Sequence, residues 1–297
     1  MINTSIEIVN KQDWIDEKTK EIIIENMNKM ENRIVYSDSV FDPESIKNKS
    51  KQIHYNLTNH YIENIFIITK KAYEKEFDLL ETQQSQRIRS KKYVFDIFLA
   101  NLMYFKEHNT LLMPAGVLIE PIFNVDNPIY LNYATIGAYM THELWHMVHE
   151  DLLRSNASST KYHQLLECLH HNYVDYAKNR FSIEIDGSTS ISEQIADTFG
   201  VLVAYKTYLK QMGKEDKGGV NSLLPGLKYD QKQLFFIRYA QSYCRKRKIA
   251  NAFQFEQFHV IHEYRAFQAS LIPEFNDIFS CKEKSKDYRQ CKIFNID

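Results

Sequence analysis

Residues 139–149 read Tyr139-Met140-Thr141-His142-Glu143-Leu144-Trp145-His146-Met147-Val148-His149. At their centre stands H-E-x-x-H. Two histidines four residues apart lie about 40° apart around a helix and one turn along it. Both imidazoles can therefore reach one zinc ion, and Glu143 between them can serve as general base toward a water at that ion. The surrounding pattern predicts one helix from Asn132 to Asp151. On these five residues alone, a solvated helix that carries two histidines is an adequate account, so the neighbourhood must decide.

Working outward, the chain has 297 residues, 44 % hydrophobic and 13 % aromatic, with 19 Tyr and 18 Phe. That is ample for a packed core and excludes wholesale disorder. Only 8 Gly and 6 Pro are present, which favours helices over a turn-rich β fold. A formal net charge of −1 argues against nucleic-acid binding, and Arg245-Lys246-Arg247-Lys248 reads as a solvated patch. No apolar run reaches membrane-spanning length, and Met1 to Asn10 lacks the pattern of a signal peptide. Cys168, Cys244, Cys281 and Cys291 form no C-x-x-C pair. Sequons occur at Asn3, Asn48, Asn56 and Asn156.

Helical spacing marks Asp16 to Ile34, through Ile23, Met27, Met30 and Ile34, with Asp16 as cap. It marks Tyr61 to Leu80 again, through Ile62, Phe66, Tyr73, Phe77 and Leu80. Ser37 to Ser50 reads as a polar connection, and Lys92 to Tyr104 fits helix or strand. Thr110 to Ile119 reads as a short strand, a Pro-Ala-Gly break and more extended chain. Leu152 to Lys161 reads as a loop. Ser192 to Met212 reads as a helix ended by Gly213, followed by a charged turn from Lys214 to Gly219. Gln231 to Cys244 and Leu271 to Phe279 also read as helical. One mainly helical lobe over residues 1–297 is the simplest account.

A catalytic zinc takes three protein ligands. The third candidate is Glu193, in Ser192-Glu193-Gln194-Ile195-Ala196-Asp197. Glu193 and Asp197 are four apart on a helix. One can bind the metal while the other accepts a hydrogen bond from a ligating histidine. An acidic pair that favours the helix N-terminus would account for them equally well.

Six ordered motifs change that balance. They are Asn101-Leu102-Met103-Tyr104, Pro114-Ala115-Gly116-Val117-Leu118, Leu131-Asn132-Tyr133-Ala134-Thr135-Ile136-Gly137 running into His142, Ser192 to Asp197, Leu224-Pro225-Gly226-Leu227 with Leu234 to Cys244, and His259 to Arg265. With Trp14-Ile15-Asp16 near the start, this order resembles the neprilysin family of zinc endopeptidases from about residue 12 to the end. The resemblance implies an α+β fold that is mainly α: a thermolysin-like zincin lobe with an active-site helix and a small β-sheet. It implies one zinc ion on His142, His146 and Glu193. Glu143 would be the base, Asp197 the orienting carboxylate and His259 the oxyanion donor, with His262 the rival one turn away. Arg265 would bind a substrate carbonyl and Asn101 the peptide main chain. Val117, Tyr139 and Tyr243 would line the pocket for the side chain after the scissile bond. Cys168 and Cys291 would pair. Peptides would be the substrates.

The chain also departs from the family pattern. Met147-Val148-His149 stands where the family has G-F-D, whose aspartate supports a ligand; His149 is either a substitute partner or an exposed histidine, and we expect the latter. Ser192 replaces a glycine, Leu102 a small residue and Tyr139 a small aliphatic, and Tyr139 should shrink its pocket. Cys291-Lys292-Ile293-Phe294 stands for C-x-x-W. Family members carry a covering N-terminal lobe and act as plasma-membrane ectodomains or secreted enzymes. That lobe and a membrane anchor are missing from these residues, and Cys244 and Cys281 match cysteines that bond to it. Two functions are therefore expected: a zinc metalloendopeptidase, or a zinc-holding pseudo-peptidase that acts as a binding module.

Overall fold

Trp145 and Phe199 stack with ring centroids 3.9 Å apart and planes 11° from parallel. Their contact marks the centre of a computed structural model of the chain. The structure describes residues 1–35, 42–44, 47, 55–81, 98–155, 159–186, 188–215, 224–246, 259–281 and 291. Its α-helices include α1 (Ile2–Asn10), α2 (Glu17–Lys29), α3 (Tyr61–Glu81), α4 (Ile129–Asn132), α5 (Ala138–Arg154), α6 (Ser159–Phe181), α7 (Ile191–Glu215), α8 (Gln231–Gln241), α9 (His262–Gln268) and α10 (Pro273–Phe279). A π-helical turn, Tyr133–Gly137, joins α4 to α5.

The core forms because α5 and α7 each carry apolar residues around most of their circumference. Leu144, Trp145, Val148 and Leu152 of α5 pack with Ile195, Phe199, Leu202 and Tyr205 of α7 in one buried cluster. Gly200 sets how close the helices come. A Cβ there would stand 2.9 Å from Ala138 O and 3.1 Å from the His142 nitrogen, both backbone atoms. Beside it, Thr141 Oγ1 donates to Gly200 O at 2.7 Å. The motif helix and the Glu193 helix are thus held together one residue from His142.

A three-stranded sheet in the order β1-β3-β2 covers one side: β1 is Glu31–Val35, β2 Met103–Phe105 and β3 Thr110–Pro114. The central β3, Thr-Leu-Leu-Met-Pro, is buried throughout. It pairs parallel with β1 (Asn32 with Leu111) and antiparallel with β2 (Tyr104 with Leu111). Gly116 follows β3 where the backbone of Phe98 crosses; a Cβ would lie 2.2 Å from Phe98 O.

Asp16 caps α2 as expected, accepting from the Thr19 nitrogen. Several expectations are corrected. Helix α2 ends at Lys29, and Ile34 lies in β1 because residues 31–35 find an open edge of β3 to pair with. The expected Pro-Ala-Gly break is a 3-10 turn over Ala115–Val117, which takes in Val117 where extended chain was expected to resume. The stretch read as a loop from Leu152 begins inside α5 and ends inside α6, a helix that sequence periodicity had not marked. Helix α7 runs through Gly213 to Glu215. Helix α3 exists, but Ile62, Phe66, Tyr73 and Phe77 on its apolar stripe are exposed. Residues 92–97, 216–219, 247–248 and 292–294, and most of 37–50, lie outside the described residues.

Candidate active site

Helix α5 turns His142 and His146 toward α7, and α7 offers Glu193 from its first turn. The Nε2 atoms of His142 and His146 lie 3.1 Å apart. Glu193 Oε2 is 3.2 Å from His142 Nε2, and Glu193 Oε1 is 3.4 Å from His146 Nε2. One ligand atom from each of the three falls within a 4.8 Å cluster, at the spacing that can hold a metal ion. Glu193 Oε2 is buried between His142 Nε2 at 3.2 Å and His259 Nε2 at 3.3 Å, neither of them aligned as a hydrogen-bond donor. Imidazole nitrogens that crowd a buried carboxylate oxygen without aligned N–H groups leave it under-satisfied, and a cation shared among them would satisfy it. Two imidazoles and a carboxylate are also the donor set of a hydrolytic zinc. The residues therefore fit the metal that the sequence implies.

Each of the two histidines has an outer partner. His142 Nδ1 faces Asp197 Oδ1 at 2.8 Å, and His146 Nδ1 faces Ser192 Oγ at 3.0 Å. Arg265 clamps Asp197 from the far side, Nε to Oδ2 at 2.8 Å and Nη2 to Oδ1 at 2.6 Å. Gln268, one turn on from Arg265, donates to Gln194 O and Thr198 Oγ1 and so pins α9 against α7. Burial alone would raise the Asp197 carboxyl, but Arg265 and His142 hold it well below the usual carboxylate range. Burial pulls His142 down, and the Asp197 charge and hydrogen bond overcome this and raise it to about 10. His146 is lowered to about 4 by burial and by His142. Glu193, despite burial, is lowered by the surrounding histidines.

Glu143 lies on the open side. Burial and the Glu193 charge raise it to about 7, against the opposing pull of His142 and the Tyr104 N–H. Its Oε2 accepts from the Tyr104 nitrogen at 2.9 Å, so β2 fixes the side chain of the expected base. A backbone donor leaves no trace in side-chain identity, and no pattern could have found it.

A cleft of about 470 Å³ opens beside Glu143, lined among others by Asn101, Val117, Tyr139, Tyr243, His259 and Arg265. All the expected substrate-binding residues are therefore brought together. Tyr139 and Tyr243 meet edge to face at 6.1 Å, and the Arg265 guanidinium lies 4.9 Å over the Tyr243 ring. Ile261, whose nitrogen donates to Tyr173 OH, packs the segment after His259 onto α6. His259 is about half exposed, with Nε2 3.3 Å from Glu193 Oε2. Its rival His262 stands against Tyr243 instead, at 5.6 Å.

His149 is not the exposed histidine that was expected. It is buried, and its Nδ1 pairs with Tyr162 OH of α6, behind the motif helix. Helix α6 was not marked in the sequence, so nothing announced the partner. Cys168 and Cys291 are bonded, with Cα atoms 5.6 Å apart, while Cys244 and Cys281 are exposed thiols.

The profile of peptidase family M13 matches residues 101–293, from Asn101 past Cys291. The chain belongs to peptidase family M13. Members of this family are zinc metallopeptidases. Neprilysin-11 of Caenorhabditis elegans is 29 % identical over 94 % of the chain and 34 % of the relative. Mouse neprilysin is 26 % identical over 97 % of the chain and 40 % of the relative. The M13 chain thus spans little more than a third of these relatives. A zinc metalloprotease of Mycobacterium tuberculosis, solved with an inhibitor, shares the fold at a TM-score of 0.73, with 17 % identity over 94 % of this chain and 43 % of that one. Among the described residues, no helix is long and apolar enough to cross a membrane.

Proposed function

We propose that residues 1–297 form the catalytic lobe of a zinc-dependent endopeptidase that hydrolyses peptide bonds. The observation that carries this is the convergence of His142 Nε2, His146 Nε2 and the buried Glu193 carboxylate at the spacing that can hold a metal ion. These three residues would hold one zinc ion, which when bound polarises a carbonyl and lowers the pKa of water.

The chain's own groups do the rest. Glu143 takes a proton from the attacking water and delivers it to the leaving nitrogen. Its rise to about 7 suits a base at neutral pH, and the Tyr104 N–H keeps it aimed. His259 supplies a donor where negative charge develops on the carbonyl oxygen. Arg265 uses two of its five N–H groups on Asp197 and offers others to a substrate carbonyl. Asn101 holds the peptide main chain at the cleft edge. Val117, Tyr139 and Tyr243 receive the side chain after the scissile bond, and Tyr139 narrows that pocket.

The apolar side chains exposed on α3 support a further lobe that covers this face in a longer protein. The Cys168–Cys291 disulfide supports an oxidising compartment, in keeping with an extracellular or plasma-membrane ectodomain. The deciding experiment measures zinc content and cleavage of short peptides for the wild type and Glu143→Gln. The variant should keep its zinc and lose about 10²–10⁴-fold in kcat. Full turnover in the variant would refute the role of Glu143. A wild type that holds zinc but leaves every peptide intact would be a binding module instead.

A further inference from the structure

The two histidines of the cluster differ in what stands behind them. Behind His142 is Asp197, an ionised carboxylate held by Arg265. Behind His146, among the described residues, stands the hydroxyl of Ser192, 3.0 Å from Nδ1. The place in the motif where an aspartate would have backed a ligand holds His149, and His149 is turned away and bonded to Tyr162 on α6. His149 therefore cannot take over that support without breaking a buried hydrogen bond. Ser192 sits immediately before Glu193 in the first turn of α7, so the same turn that delivers the carboxylate ligand delivers the hydroxyl.

We infer that Ser192 is the positioning residue for His146, substituting for the carboxylate that His149 displaced. A ligating imidazole must present a lone pair at Nε2, which requires its proton at Nδ1. In that tautomer Ser192 Oγ accepts the Nδ1–H, and the contact orients the ring with Nε2 toward Glu193. A neutral hydroxyl raises the basicity of its histidine less than a carboxylate does. The cluster is thus asymmetric. His142 is the strongly backed ligand, and His146 is the weaker one, whose hold depends on a single Oγ. This inference rests on the proposal that the cluster holds a divalent cation.

The test uses the full chain and zinc itself. Zinc affinity is measured by competition with a chromophoric chelator, and the cobalt(II)-loaded protein is examined by its visible ligand-field absorption. Ser192→Ala should weaken zinc binding about 10- to 100-fold and change the cobalt spectrum. Ser192→Thr, which keeps the hydroxyl, should restore both. Ser192→Asp, which supplies a carboxylate, should bind zinc at least as tightly as the wild type. His149→Phe should lower thermal stability yet leave zinc affinity within about twofold, because it touches Tyr162 and not a ligand. Should Ser192→Ala fail to fold, loss of zinc affinity in Ser192→Thr or in His149→Phe would overturn the assignment. A folded Ser192→Ala with wild-type affinity and an unchanged spectrum overturns it directly. A wild type that binds no zinc would overturn the cation site itself, which separates the two failures.

Discussion

Replacing Gly200 by alanine should loosen the site from a position that touches neither metal nor substrate. The added Cβ would stand 2.9 Å from Ala138 O, 3.1 Å from the His142 nitrogen and 3.2 Å from His142 Cα, where ordinary contact begins at 3.4 Å. All three atoms belong to the backbone of α5, so no side chain can swing aside. The helices must part by about 0.5 Å at this point. Such overpacking costs ~1–3 kcal/mol, against which alanine returns ~1 kcal/mol of helix propensity over glycine. We expect a net loss of ~0.5–2 kcal/mol in urea unfolding of the metal-free protein. The functional effect should be larger than that. His142 Nδ1 and Asp197 Oδ1, now at 2.8 Å, would be stretched past the ordinary hydrogen-bond limit of about 3.2 Å. Losing that support should weaken zinc binding about 10- to 100-fold. A Gly200→Ala protein as stable as the wild type, with unchanged zinc affinity by chelator competition, would refute the claim that close helix approach sets the cluster.

Other outcomes follow from the same geometry. In the metal-free chain His142 is raised to about 10, so at pH 7 it carries a proton that a cation must expel. Zinc binding should release at least one proton near pH 7, and affinity should rise with pH up to about 10; calorimetry in buffers of different ionisation enthalpy that shows no release would contradict this. Asp197→Asn removes the charge that holds His142 and leaves the buried Arg265 unpaired, so it should cost ~3–5 kcal/mol of stability as well as zinc affinity. An Asp197→Asn protein with the wild-type unfolding midpoint would be inconsistent with that pairing. Tyr139→Val should widen the pocket and raise kcat/KM about 10-fold or more for peptides with a large side chain after the scissile bond. An unchanged preference across a peptide series would remove Tyr139 from the pocket.

The i, i+4 spacings could be read directly in the sequence. His142 with His146, and Glu193 with Asp197, each occupy one helix face whatever surrounds them, because the helical repeat alone sets that direction. Cap chemistry placed the start of α2 for the same reason: Asp16 acts on atoms three residues away. Motif order extended this to the family and to a list of cleft residues, all of which line one cavity.

Tertiary structure decided what pairs with what. Ile34 became strand because β3 lay open beside it, and α6, unmarked in the sequence, hid His149 behind Tyr162. The Tyr104 N–H on Glu143 and the Ser192 hydroxyl on His146 depend on how β2 and α7 approach α5. Local spacing sets where a side chain points along its own helix. The distance to the next helix comes from packing between residues far apart in sequence: Trp145 on Phe199, and Gly200 against the backbone of His142.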